Sequence, residues 1–201
     1  MASPFNLDSA NASRNYDYVR AGRYLVRLEE FRFGVNRAKL DYARFSFTVV
    51  DVLDPSEAAK DPKGPHRVGE KISWVLMANK DASAPNLKAA LMSIMEAPAE
   101  EITDDFSKTA ASDAQPLKGM FLVLDGSLQK MKSKEGVFTR ISIKRRVLGV
   151  EVKKIVPQEV LQSLRLTDIS DDESCPRRLG SGAGPPTYPK RRLHMRVNIY
   201  A

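Results

Sequence analysis

Residues 117–147 read LKGMFLVLDGSLQKMKSKEGVFTRISIKRRV, and this stretch predicts two β-strands joined by a basic turn. The apolar run Met120 to Leu124 is typical of a strand that is buried on both faces. Apolar and polar residues then alternate along the second strand, so its side chains should divide between a core face and a solvent face. The solvent face should carry an aromatic ring, two cations and a hydroxyl, from Phe138, Arg140, Ser142 and Lys144.

That solvent face is suited to nucleic acid, because cations hold phosphates and an aromatic ring stacks a base. Lysines occupy every second position around the turn, at Lys130, Lys132 and Lys134, so the hairpin should end in a positively charged tip. A lysine-rich turn by itself is more often only solvated. The interpretation therefore depends on the rest of the chain.

Composition predicts one ordinary globular domain with tails: the chain has 201 residues, 42% of them hydrophobic and 28% charged. The single Cys175 excludes a disulfide framework and a cysteine-built zinc site, and it suits a reducing compartment. No targeting signal and no membrane-length apolar run is present, so we expect a cytoplasmic protein. No cofactor or metal is expected.

The net charge of +7 is unevenly distributed. Residues 119–154 hold nine Lys or Arg and three acids, whereas residues 81–114 hold seven acids and two lysines. Such segregation predicts a surface with one strongly basic side, which attracts a polyanion to that side.

Three further strands are predicted before the hairpin. The first covers Gly22 to Phe33, and a change of parity along its apolar residues indicates a β-bulge. A basic turn follows, and the second strand, Asp41 to Val52, again places an aromatic residue, a cation and hydroxyls on its outward face. In the third strand, Glu70 to Met77, Trp74 shares its parity with apolar residues and is assigned to the core. His66 precedes that strand in a polar loop and is expected to be solvated.

A helix is predicted over Asn79 to Ala97, with an apolar stripe that should plug the sheet. Three strands, a helix and two strands predict a mainly β fold, a five-stranded OB-fold barrel with the helix between strands 3 and 4. Residues 1–21 should be a flexible N-terminal arm and residues 22–156 the OB domain, in which residues 148–156 could extend the last strand. Residues 157–201 should form a short helix, around residues 158–166, and a flexible C-terminal tail.

In an OB-fold, strands 2 and 3 and the turns between strands 1 and 2 and between strands 4 and 5 bind the ligand. These two turns are the two basic ones, so we expect them to meet beside one face. The predicted nucleic-acid-binding residues are Arg27, Arg37, Lys39, Tyr42, Arg44, Lys130, Lys132, Lys134, Phe138, Arg140 and Lys144.

The chain also resembles phage-encoded OB-fold single-stranded DNA-binding proteins across residues 21–150. The similar motifs are GRYLV at residue 22, YARFSFTV at residue 42, VGEKI at residue 68 and KSKEGVFT at residue 132. The resemblance implies a sequence-tolerant protein that coats and protects single-stranded DNA in replication or recombination, with replication or recombination proteins as partners and the host cytoplasm as its location. Such proteins often end in an acidic tail; residues 171–173 are acidic, but the basic residues after them depart from that pattern. The sequence leaves open whether the protein is a homo-oligomer.

Other functions stay open at this stage. No nucleophile–base pair and no metal-ligand spacing is evident, so an enzyme is not expected, although a nuclease built from Asp and Glu alone is not excluded. A virion or scaffold protein that uses the barrel for protein contacts is the main alternative. RNA instead of DNA is another, because no residue pattern announces recognition of the 2′-hydroxyl.

Overall fold

The computed structural model describes residues 17–130, 137–166 and 169. The described residues contain six strands: β1 (Asp17–Tyr18), β2 (Gly22–Val35), β3 (Asp41–Asp54), β4 (Lys71–Met77), β5 (Phe121–Lys130) and β6 (Val137–Val147). They also contain five α-helices: α1 (Pro55–Ala58), α2 (Ser83–Met95), α3 (Asp104–Ala110), α4 (Gly149–Ile155) and α5 (Gln158–Ser163). A 3-10 turn, Ala99–Glu101, precedes α3.

The six strands form one curled sheet, a half-barrel in the order β1-β4-β3-β2-β5-β6. All neighbours are antiparallel except β1 and β4. The predicted mainly β fold is confirmed, but the count of five strands is wrong because β1 precedes the others. The predicted helix, α2, lies between the fourth and fifth strands, so its predicted placement between strands 3 and 4 is wrong for the same reason. Two residues are too few to give a strand a recognisable period in the sequence, which is why β1 was not predicted.

The predicted bulge in β2 is confirmed. The pairing register with β3 skips Glu29, passing from Leu28 opposite Phe47 to Glu30 opposite Ser46. The extra residue keeps Leu28 and Phe31 on the same face, which is why both are buried in the core. It also sends two successive acids, Glu29 and Glu30, to the opposite face.

The main core fills the concave face of the sheet, here called the inner face. Phe45 lies at its centre, with ring centroids 4.4 Å from Phe31 and 5.7 Å from Trp74. Leu91 and Ile94 of α2 are buried in the same cluster, and α2 contacts both β4 and β6. The core position of Trp74 and the packing role of the helix are therefore confirmed.

A second core covers part of the opposite, outer face. Five apolar residues of the sheet pack there against α4 and α5: Leu25, Val50, Phe121, Val123 and Val147. Residues 149–155 are helical, so the predicted extension of the last strand is wrong. Glu151 explains the change of structure, because its carboxylate accepts a hydrogen bond from the backbone N–H of Leu148, at 3.4 Å. The predicted helix near residue 158 is confirmed as α5.

The segment before β2 is tied to the loop before β4. The backbone N–H of Arg20 donates to Nε2 of His66 at 3.0 Å, and Nδ1 of His66 lies 2.9 Å from Oε1 of Glu70. His66 is 1% exposed, so its predicted solvation is wrong. The loop that carries His66 packs against the segment around Arg20, and this contact buries the imidazole. Burial raises the pKa of Glu70, but a hydrogen bond from the N–H of Arg67 and contacts with His66 and Arg20 outweigh it, so this pKa lies below its usual value. Residues 17–21, assigned by sequence to the arm, thus pack against the fold.

Candidate nucleic-acid interface

Helices α4 and α5 divide the outer face of the sheet into two regions. They cross it from Val147 at the end of β6 to the loop before β4, where Leu164 lies against Gly69. One region lies near the β2–β3 turn and the other near the β5–β6 hairpin. The predicted residues Lys132 and Lys134 lie outside the described residues, and the remaining nine fall into these two regions.

The two basic turns lie at opposite ends of β2. Gly22 pairs with Gly126 and Arg27 pairs with Phe121, so β5 runs towards the beginning of β2 and Lys130 lies past it. Arg37 follows Val35 at the other end of β2. The expectation that the turns meet side by side is therefore wrong, because antiparallel pairing of β2 with β5 sends their far ends in opposite directions.

The β2–β3 turn holds two exposed cations on an ordered backbone. Oδ1 of Asn36 accepts hydrogen bonds from the backbone N–H groups of Ala38 and Leu40, at 2.9 and 3.0 Å. Lys39 adopts a φ of 59°, the left-handed conformation that closes this turn. Neither Arg37 nor Lys39 has an ion pair with another described residue. Both charges are available to an external anion.

The cations beside this turn are largely neutralised. Glu30 holds two of them, Arg44 and Arg32, each at 2.7 Å through a different carboxylate oxygen. Arg27 lies 3.9 Å from Glu29, and it lines a cavity of about 260 Å³ between the sheet and the end of α5. Phosphate would have to compete with these carboxylates. Arg44 and Arg27 are therefore poorer phosphate ligands than their sequence positions indicate.

Glu29 and Glu30 are the functionally relevant residues that sequence reasoning missed. Oγ1 of Thr48 donates to Oε1 of Glu29 at 3.0 Å, and the side chain of Glu30 is only 15% exposed. The signal was present in the sequence, since a bulge directs neighbouring residues to the same face. Its consequence depends on the pairing register with β3, which single-strand periodicity does not give.

Tyr42 lies on the same outer region. Its hydroxyl and ring are so close to Gly34 that a Cβ atom there would lie 2.6 Å from the hydroxyl oxygen. Gly34 therefore allows the ring to lie flat across β2. Tyr42 is half-buried in this position and shows one side to solvent.

The described base of the β5–β6 hairpin carries the predicted alternation, which is confirmed. Ile143 is buried in the main core and Ile141 packs against it. Phe138 and Arg140 lie on the other face, and Phe138 is 43% exposed. Phe138 pairs with Gln129 across the hairpin, whereas Lys130 pairs with Val137 and therefore lies on the opposite face from the ring.

Charge pairing separates the cations of this region. Arg140 and Lys130 are exposed and have no ion pair with another described residue. Lys144, in contrast, lies 3.3 Å from Asp125, which Arg23 approaches at 3.3 Å from the other side. The outer face of the hairpin therefore offers an exposed ring beside one uncommitted cation, Arg140, with a second cation, Lys144, already engaged.

Neither a metal-binding cluster nor a membrane-length helix is present in the part of the chain that the structure describes. No group of three or more His, Cys, Asp or Glu side chains there is arranged to hold a metal ion. No helix there is long and apolar enough to cross a membrane.

A scan against protein-family models gives no match for this sequence, and a search of curated proteins gives none either.

Proposed function

We propose that this protein is a sequence-tolerant binder of single-stranded DNA, which it coats and protects during phage-type replication or recombination. One observation carries the proposal: Phe138 is exposed on the outer face, and Arg140, a cation without an ion pair to another described residue, follows two residues later on the same face. Replication or recombination proteins are the expected partners, in the cytoplasm.

The spacing of these groups fits a nucleotide. Phe138 and Arg140 are two residues apart on one strand face, so their Cα atoms are about 7 Å apart. A base stacked on the ring would therefore have its phosphate within reach of the Arg140 guanidinium. Stacking is tolerant of sequence, because every base has a π-face, whereas a paired base cannot leave the duplex to reach Phe138.

An OB-type barrel is the proposed origin of this arrangement. Setting β1 aside, the five longer strands lie in the spatial order β4-β3-β2-β5-β6. In chain order α2 comes between the third and the fourth of them, β4 and β5. What supports the assignment is the bent first long strand, which pairs with β3 along its length and with β5 in its first half.

Salt dependence provides the test of this function. If about five phosphates are neutralised, log K should fall with log salt at a slope of roughly −3.5 for single-stranded DNA. Replacing Lys130, Lys132 and Lys134 together with glutamine should flatten that slope by about 2. The measurement is fluorescence polarisation of a labelled oligonucleotide over a series of salt concentrations.

Lys108→Gln is the matched control, because Lys108 is an exposed lysine of α3 that already pairs with Asp105. Its slope should equal that of the unmodified protein. An unchanged slope in the triple variant would exclude the hairpin from the site.

Parallel titrations separate the alternatives: equal affinity for RNA would extend the ligand class, and magnesium-dependent cleavage would indicate a nuclease. Light scattering that shows assembly without any nucleic acid binding would favour a scaffold.

A further inference from the structure

The second half of β2 has an edge that no described strand covers. β5 pairs with β2 only from Gly22 to Arg27. The main-chain groups of Leu28 then bond to Met120 and Gly119, at 2.8 and 2.7 Å, and the chain turns away. From there to Val35, β2 is paired on one side only, with β3.

The free edge presents the main-chain groups of Phe33 and Val35. In an antiparallel pair, the N–H and C=O of alternate residues point towards the partner strand. The main-chain N–H and C=O of Phe31 point away from β3, because they form hydrogen bonds with the side chain of Gln115, at 2.9 and 3.1 Å. Phe33 and Val35 share its parity, so their two donors and two acceptors also point outward. Gln115 thus occupies one end of the edge as a neighbouring strand would.

The side chains at this edge are apolar and exposed, with Phe33 44% and Val35 61% exposed. The other edges of the sheet differ from this one. β1 pairs with β4 at Ile72 and Ser73. The edge strand β6 carries four cations: Arg140, Lys144, Arg145 and Arg146. An unpaired edge with exposed apolar side chains is a site for strand addition.

We propose that the strand added here is the same edge of a second copy of the chain, in antiparallel pairing about a two-fold axis at Gly34. This register places Phe33 opposite Val35 of the second copy, and the reverse, which gives four inter-chain hydrogen bonds. If the register shifts so that the axis lies at Phe33, Val35 comes to lie opposite Phe31, whose main-chain groups are already bonded to Gln115. If the register shifts so that the axis lies at Val35, Phe33 comes to lie opposite Arg37, which is in the turn and not in the strand. This register therefore uses the free groups of both copies.

Charge complementarity favours a second copy as the occupant. Asp113 lies at the Gln115 end of the edge, 3.3 Å from Arg32, and its side chain is 95% exposed. In the two-fold arrangement, the β2–β3 turn of the second copy reaches that end. It brings the unpaired cations Arg37 and Lys39 towards Asp113, and the contact occurs twice because the interface is self-complementary.

The interface is small, below the roughly 1,200 Å² of stable complexes, so the dimer should have a dissociation constant in the micromolar range. It should form without nucleic acid. A failure of this inference would therefore leave the proposed DNA binding untouched, and the reverse also holds.

Sedimentation velocity of the full chain, without nucleic acid, tests the inference. Between about 1 and 200 μM, the mass should rise from 22.4 kDa towards twice that value. Val35→Pro removes an edge N–H that β3 does not use, hence two of the four inter-chain bonds, and should weaken association at least tenfold. Val35→Thr keeps the N–H and the branched shape, and should associate within about threefold of the unmodified protein.

A charge swap provides a test that does not depend on proline. Asp113→Lys should weaken association by placing like charges together, and the double variant Asp113→Lys with Arg37→Glu should restore it. An unmodified protein that stays monomeric throughout the concentration range would overturn the inference. So would a folded Val35→Pro variant that associates normally. If that variant does not fold, the charge swap decides, and absence of restoration overturns the proposal.

Discussion

Replacing Phe45 with alanine is expected to lower the free energy of unfolding by about 3–5 kcal/mol. Phe45 is fully buried, and its ring is stacked 4.4 Å from Phe31 and 5.7 Å from Trp74 between centroids. These rings come from three neighbouring strands, so the cavity left by alanine cannot be filled by a local adjustment. Urea denaturation followed by circular dichroism measures the change.

Phe138→Ala is the matched control for this prediction, because the same side chain is removed from a position that is 43% exposed. It should cost less than about 1 kcal/mol. A cost below about 1 kcal/mol for Phe45→Ala as well would contradict the description of the inner face as the main core.

The same Phe138→Ala variant is expected to weaken binding of single-stranded DNA by about 1–3 kcal/mol, or roughly 5- to 150-fold. The loss follows from removal of the exposed ring on which a base is proposed to stack. Affinity for duplex DNA should change little, because paired bases do not reach the ring. Fluorescence polarisation with both forms of one oligonucleotide measures the difference.

Val137→Ala provides the control for the binding experiment. Val137 is the neighbouring residue and is 56% exposed, but it has no ring. Its replacement should leave the affinity for single-stranded DNA within about twofold, as is usual for a surface substitution. Equal losses for single-stranded and duplex DNA in Phe138→Ala would show that the ring does not stack a base.

Much of the sheet was predictable, because a strand repeats its side-chain direction every two residues. That period predicted the inward residues of β3 and β6 and the core position of Trp74, all of which are buried or packed on the core. It also predicted the bulge in β2, since the apolar residues change parity there. These features depend on residues close together in sequence.

The remaining features depend on contacts between distant segments. The ion pair between Arg44 and Glu30 requires the register of two strands. The burial of His66 requires the segment around Arg20 to return to its loop. Helices α4 and α5 lie on the outer face because they pack into a second apolar cluster. The periodicity of α5 indicates an apolar face but not the part of the sheet against which that face packs. Sequence periodicity therefore placed the exposed ring and the cations but not their ion pairs.

Those ion pairs now separate the cations that should bind phosphate from those that should not. Arg140 and Lys144 are both exposed on β6, but only Lys144 has a partner, Asp125, at 3.3 Å. Each is replaced with glutamine in turn, so that the two variants lose the same charge from the same strand.

The most direct measurement is the salt dependence of single-stranded DNA binding in these two variants. Arg140→Gln should flatten the slope of log K against log salt by about 0.7, the value for one lost phosphate contact, and Lys144→Gln should change it by clearly less. Flattening by Lys144→Gln that equals or exceeds that of Arg140→Gln would contradict the assignment of phosphate binding to the unpaired cations.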